Sequence, residues 1–145
     1  MSVFISIDPG NKKCGLLLAD MKSRNVIEAG IASLNKFSDI VSLWNEEFQV
    51  YKIVIGDGTN SKYIENKLKQ KNIFNLTFVN ERGSTLRARF RYWEIWPPNY
   101  FIRWLPKEML FPPENLDAVV ALILLEDFLL YNFIWPEQVG IKTWT

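Results

Sequence analysis

The run Lys52-Ile53-Val54-Ile55-Gly56 constrains the fold more than any other stretch. It is short and apolar at successive positions, as a strand is when both faces of its sheet are covered. It ends at Asp57. Gly58-Thr59-Asn60-Ser61 then offers capping residues for a lysine-rich helix, in which Tyr63, Ile64, Lys67 and Leu68 continue up to Asn72. Leu76-Thr77-Phe78-Val79-Asn80 is the next strand, and it delivers Glu81. Strand, helix and strand in this order predict parallel pairing through a right-handed crossover.

The first part of the chain has a different pattern. Val3-Phe4-Ile5-Ser6-Ile7 runs into Asp8-Pro9-Gly10, which places a carboxylate in a turn at a sheet edge. Gly15 to Ala19 reads as a second strand returning beside the first, and Val26 to Ala32 as a third, so this part is an antiparallel meander. Phe37, Ile40, Val41, Trp44 and Phe48 then recur at helical spacing. The sum is an α/β fold with a mixed sheet.

Beyond Glu81, Thr85 to Trp93 is predicted as a helix with Leu86, Phe90 and Trp93 on one face and Arg87 and Arg91 on another. Residues 95–113 form an aromatic- and Pro-rich excursion holding Trp96, Tyr100, Phe101, Trp104 and Phe111. Glu114 or Asn115 opens a last helix, Leu116 to Leu130, apolar on nearly all sides until Glu126 and Asp127; such a helix packs against the sheet. The tail from Trp135 carries no clear signal. With 145 residues, no linker and no repeat, a single domain over 1–145 is expected.

Composition narrows the chemistry. The 48% hydrophobic and 23% charged content is that of a globular protein. With no histidine and Cys14 as its one cysteine, the chain cannot build a His/Cys zinc site, a Ser-His-Asp triad or a Cys-His pair, which leaves carboxylates as the reactive groups. The lone cysteine agrees with a reducing compartment, and no stretch reads as a secretory signal or membrane span, so the expectation is cytoplasmic with no membrane partner. A net charge of +1 gives no general attraction to nucleic acid, so any such attraction must be local.

Three acids share a position in this pattern. Asp8 ends the first strand, Glu81 follows the last, and Asp117 lies in the first turn of the final helix. Strand ends and helix N-termini gather on one rim of an α/β sheet, so acids distant in sequence can meet there. Carboxylates that meet call for a cation, and Mg²⁺ or Mn²⁺ held by carboxylates can activate water against a phosphodiester without histidine.

Four motifs in order carry a resemblance: Ile5-Ser6-Ile7-Asp8-Pro9-Gly10 with Gly15; Ile53-Val54-Ile55-Gly56; Asn80-Glu81-Arg82-Gly83-Ser84-Thr85; and Leu116-Asp117-Ala118-Val119-Val120-Ala121. Together they resemble the RuvC/YqgF group of the ribonuclease H-like superfamily. The resemblance implies a five-stranded mixed sheet flanked by helices, with Asp8, Glu81 and Asp117 as catalytic, metal-binding acids. Asp-Pro-Gly is closer to the Holliday-junction resolvase branch, whose members cut four-way DNA junctions as dimers. Glu-Arg-x-Ser-Thr and the Asp-Ala helix start are closer to the YqgF branch, associated with ribosomal RNA precursor processing. Where YqgF-like chains continue the fourth strand as Gly-Leu-Pro, this one has Asp57-Gly58-Thr59 after Gly56, making Asp57 a candidate fourth acid.

Arg82, Arg87, Arg89, Arg91 and Arg103, interleaved with Phe90, Tyr92, Trp93, Trp96 and Trp104, form a local basic and aromatic cluster. Arginine meets phosphate and rings stack on unpaired bases. Arg82, Arg87, Arg91 and Lys12 are the expected nucleic-acid contacts, with most of the aromatics in a core or dimer interface. The leading expectation is therefore a metal-dependent endonuclease acting on branched DNA or structured RNA. A catalytically silent nucleic-acid-binding or dimerisation module is an alternative, since fold alone does not establish activity. An actin-like phosphate-binding ATPase is another, although the chain is short for the two lobes of that class.

Overall fold

The computed structural model describes residues 2–106, 109–110 and 116–145. Its elements in chain order are β1 (Val3–Asp8), β2 (Lys13–Asp20), β3 (Asn25–Ser33), α1 (Phe37–Phe48), β4 (Lys52–Gly56), α2 (Ser61–Gln70), β5 (Leu76–Val79), α3 (Ser84–Ile95), a 3₁₀ turn (Tyr100–Ile102), α4 (Asp117–Leu129) and β6 (Ile141–Trp144). The strands form one mixed sheet in the order β5-β4-β1-β2-β3-β6. β1, β2 and β3 are the antiparallel meander, and β4 and β5 run parallel to β1 through the α2 crossover.

Period-two alternation divides the core between the two faces of the sheet. Ile5, Ile7, Leu16, Leu18, Ile53 and Ile55 point to one face, where Phe37, Val41 and Trp44 of α1 and Ile64 and Leu68 of α2 cover them. Phe4, Leu17, Ala19 and Val54 point to the other, beneath Ala118, Ala121, Leu122 and Leu125 of α4. Both sides being covered explains why β1, β2 and β4 read as unbroken apolar runs.

α4 is buried all round from Ala118 to Glu126 because it lies between two layers. Its outer side, Val119, Val120, Ile123 and Leu124, packs against Ala88, Tyr92 and Trp93 of α3. Two ion pairs join these helices further along. Arg87 makes a bidentate pair with Asp127 at 2.9 and 2.6 Å. Arg91 bonds Glu126 at 3.1 and 2.9 Å and donates to the carbonyl of Phe133 at 2.8 Å. Glu126 is buried, and it also accepts from the Phe133 N–H, so its charge is compensated on two sides.

The sheet has six strands where five were expected. The sixth, β6, comes from the tail and pairs parallel to β3, with Ala29 opposite Ile141 and Ala32 opposite Trp144. Four half-exposed residues are too few to show a period in sequence. Tertiary partners define the strand instead: Trp144 packs edge-on against Trp44 at 5.7 Å, and Lys142 pairs with Glu28. In the excursion, the described residues include the 3₁₀ turn Tyr100–Ile102, and Met109, whose N–H donates to the Pro106 carbonyl at 2.9 Å, is in 3₁₀ conformation as well; Lys107, Glu108 and residues 111–113 lie outside the described residues, as do Glu114 and Asn115, the expected openers of α4. No helix among the described residues is long and apolar enough to cross a membrane.

Candidate active site

The parallel strands β1, β4 and β5 end on one rim, and their register sets the acids side by side. Ile7 pairs with Ile55 and Gly56 with Val79, so Asp8, Asp57 and the Asn80-Glu81 step leave the sheet at nearly the same level. The Asp57 N–H donates to the Val79 carbonyl at 2.9 Å, and the Glu81 N–H donates to Asp57 Oδ1 at 3.4 Å. Asp57 is thus tied into the junction of two strand ends, with its side chain exposed.

Asp117 joins this rim through a glycine. Alternation puts Phe4, Ser6 and Asp8 on the face that α4 covers, and the cross-strand partner of Asp8 is Gly15. A methyl group at Gly15 would overlap the carbonyl of Asp117. Glycine at this position lets the first turn of α4 sit directly on β2, which brings Asp117 toward Asp8.

The electrostatics record how the acids are grouped. Burial raises the Asp8 carboxyl from 3.8 to about 8, with Asp117 and then Glu81 adding like-charge repulsion. Burial also raises Asp117, against the opposing pull of Lys13. Glu81 is raised by burial and by Asp57, with a Gly58 backbone hydrogen bond acting in the other direction. Asp8 is the centre of the group, flanked by Asp117 on one side and by Glu81 and then Asp57 on the other.

Glu81 folds back over the end of β4. Side chains at Gly56 or Gly58 would collide with its carboxylate oxygens, and the space at Gly56 is bounded also by Pro9 and Leu124. Its Oε2 is buried with no hydrogen-bond partner in the protein. An orphaned carboxylate oxygen beside other raised acids is a donor set of the hard, all-oxygen kind that suits Mg²⁺ or Mn²⁺. Among the described residues no three such groups stand close enough together to hold an ion. The set is right in kind and open in geometry.

The other sequence-predicted residues are placed differently. Lys12 and Arg82 are exposed in the turns that follow β1 and β5. Arg87 and Arg91, expected to meet phosphate, are ion-paired to Asp127 and Glu126, because α3 packs along α4 and its arginines neutralise the acids at the end of that helix. Two residues that sequence reasoning passed over belong to the site. Lys13 starts β2 on the same face as Asp8 and influences Asp117, whereas Lys12 precedes the strand; nothing in the sequence separates the two lysines before the register of β1 and β2 is known. Asn60 stands at the start of α2 but makes no side-chain cap. Its Nδ2 donates to the Gly10 carbonyl at 2.8 Å and ties the α2 start to the Asp8 turn.

No protein-family model matches the chain, and no curated protein matches it in sequence. Solved structures do match in fold. RuvC of T. thermophilus in complex with a Holliday junction substrate aligns with TM-score 0.52 at 10% identity, over 84% of this chain and 89% of that one. A second T. thermophilus RuvC structure gives TM-score 0.53 at 10% identity, over 82% and 90%. The large terminase nuclease of the thermophilic phage G20c gives TM-score 0.56 at 13% identity, over 87% and 81%. Mixed sheet, crossover and covering helices together make this a ribonuclease H-like fold, similar in structure to RuvC and to a phage terminase nuclease.

Proposed function

We propose that the chain is a single-domain, metal-dependent endonuclease that hydrolyses phosphodiester bonds in structured nucleic acid, with branched DNA of the Holliday-junction type as the first substrate to test. The observation that carries this reading is the placement of half-buried Asp8 between Asp117 and Glu81 on the rim of a ribonuclease H-like sheet. Like charges assembled at a cost to the fold mark a site more often than a structural accident. The Holliday junction substrate bound by the RuvC neighbour agrees with it.

In this reading Asp8, Glu81 and Asp117 would hold Mg²⁺ or Mn²⁺, with Asp57 as a fourth acid, and the chemistry such an ion would supply there is charge stabilisation at the scissile phosphate and activation of water. The chain's own groups do the rest. Asp8 provides the central carboxylate, fixed in position by β1 and by the Asn60 bond to its turn. Lys13 tempers the charge of Asp117 from the neighbouring strand. Lys12 and Arg82, exposed on either side of the rim, meet the phosphate backbone as point charge and fork.

The test is cleavage of labelled four-way DNA junctions and of precursor ribosomal RNA with Mg²⁺ or Mn²⁺, by the wild type and by Asp8→Asn. Cleavage of junctions, lost in Asp8→Asn, supports the proposal; cleavage of RNA alone would transfer it to the YqgF-like activity. Full activity in Asp8→Asn sinks the assignment of the site. A wild type that binds junctions and releases no heat on Mn²⁺ titration is the silent module instead.

A further inference from the structure

The excursion between α3 and α4 separates its aromatic residues into two sets. Tyr92 and Trp93 are buried, and Trp96 packs against Tyr92 at 4.9 Å and Trp135 at 5.0 Å, so these rings belong to the core. Tyr100, Phe101 and Trp104 are 75%, 78% and 78% exposed. Leaving three large rings of one short segment in water costs hydrophobic free energy unless something covers them.

The segment holds these rings in a defined arrangement. Asn99 Oδ1 accepts from the Phe101 N–H at 3.3 Å and opens the 3₁₀ turn. Tyr100 and Phe101 stand edge to face at 5.9 Å and 86°. Trp104 Nε1 donates to the Phe101 carbonyl at 2.7 Å, so the indole's one polar group is satisfied inside the turn and its ring faces are what it offers outward. Arg103 lies over the Tyr100 ring at 6.0 Å and donates to the Pro98 carbonyl at 3.4 Å.

Charge indicates the occupant. From Ile95 to Pro106 the only charged residue is Arg103, and the Lys107 and Glu108 that follow it balance each other. Flat π faces beside a planar cation complement a polyanion that carries flat rings. The segment leads from α3 to α4, whose first residue is Asp117, so whatever it grips is held on the chain that builds the rim.

We propose that Tyr100, Phe101, Arg103 and Trp104 form a stacking platform for unpaired bases, so that the preferred nucleic acid has a single-stranded or opened segment beside its paired arms. This inference rests on the nucleic-acid reading above and adds a specificity that the acids do not contain. Trp104 and Phe101 grip the bases through their exposed faces, and Arg103 neutralises the adjoining phosphate.

The experiment measures binding in EDTA, where no cleavage occurs, by wild type, Trp104→Ala and Phe101→Ala. The probes are a DNA and an RNA oligonucleotide with 2-aminopurine in an unpaired stretch, and a fully paired duplex of equal length. Each variant is expected to lose roughly 5- to 100-fold in affinity for the unpaired probes, as removal of one base–aromatic stack does, with duplex binding changed by less than about twofold. The 2-aminopurine quenching seen with wild type is expected to weaken in both. Thermal unfolding should be unchanged, since both rings are exposed. Equal affinities throughout, or equal losses on duplex and unpaired probes, overturn the platform and leave the nuclease reading standing. A fall in sedimenting mass on substitution, with probe binding intact, assigns the surface to a second copy of the chain and likewise overturns it. A wild type that binds none of the probes overturns the platform, while the cleavage of four-way junctions decides the nuclease reading separately.

Discussion

Asp8→Asn should stabilise the metal-free protein, and by an amount that grows with pH. The substitution keeps the shape of the side chain and removes its charge. In the native protein burial, Asp117 and Glu81 raise the Asp8 carboxyl from 3.8 to about 8. Unfolded, the same group ionises near its ordinary value, so across this window the native state binds more protons and stability falls as pH rises. At about 1.4 kcal/mol per unit of displacement, the destabilisation is about 2 kcal/mol near pH 5 and about 4 kcal/mol near pH 7, with water at the half-buried rim lowering both figures. Urea denaturation in EDTA, followed by far-ultraviolet circular dichroism, should show Asp8→Asn more stable by about 2–4 kcal/mol near pH 7 and by less than about 2 kcal/mol near pH 5. Mg²⁺ or Mn²⁺ should then raise the stability of the wild type more than that of the variant, because an ion that binds only the native state stabilises it by mass action. A variant no more stable than wild type near pH 7, or a difference that shrinks as pH rises, would refute the placement of Asp8 among half-buried like charges.

Three further outcomes are expected. Gly58→Ala puts a methyl group where the Glu81 carboxylate lies; it should displace that flexible side chain and lower metal-dependent cleavage at least tenfold, at a cost below about 1 kcal/mol in urea denaturation. Gly15→Ala should cost more, about 1–3 kcal/mol, and also reduce cleavage, since the contact it breaks is with the α4 backbone at Asp117; unchanged melting would contradict the close approach of helix and strand. Glu126→Ala leaves Arg91 without its buried partner and should destabilise by about 3–5 kcal/mol, whereas Asp127→Ala opens an exposed pair and should cost less than about 1 kcal/mol. Equal effects from the last two would mean that Arg91 is solvated rather than sealed between α3 and α4.

The sequence by itself determined the elements whose apolar pattern is long or continuous. The β1 run into Asp8, the β4–α2–β5 crossover and the all-apolar α4 are legible because covering both faces of a sheet requires unbroken apolar strands, and because acids at strand ends stand out against them. Tertiary structure alone decided the rest. β6 exists because β3 offers an edge and Trp44 a ring to pack on, information that four half-exposed residues do not contain. Arg87 and Arg91 form one basic stripe in sequence, yet α4 supplies their partners from forty and thirty-five residues away. Lys13 was distinguished from Lys12 only when the register placed Gly15 opposite Asp8. The same holds for the aromatic residues of 92–104, which look alike as letters and were divided into core and surface by the helix they pack against. Local pattern specifies which residues are apolar and which carry charge, but pairing across the chain specifies what each one meets, and a site is made of such meetings.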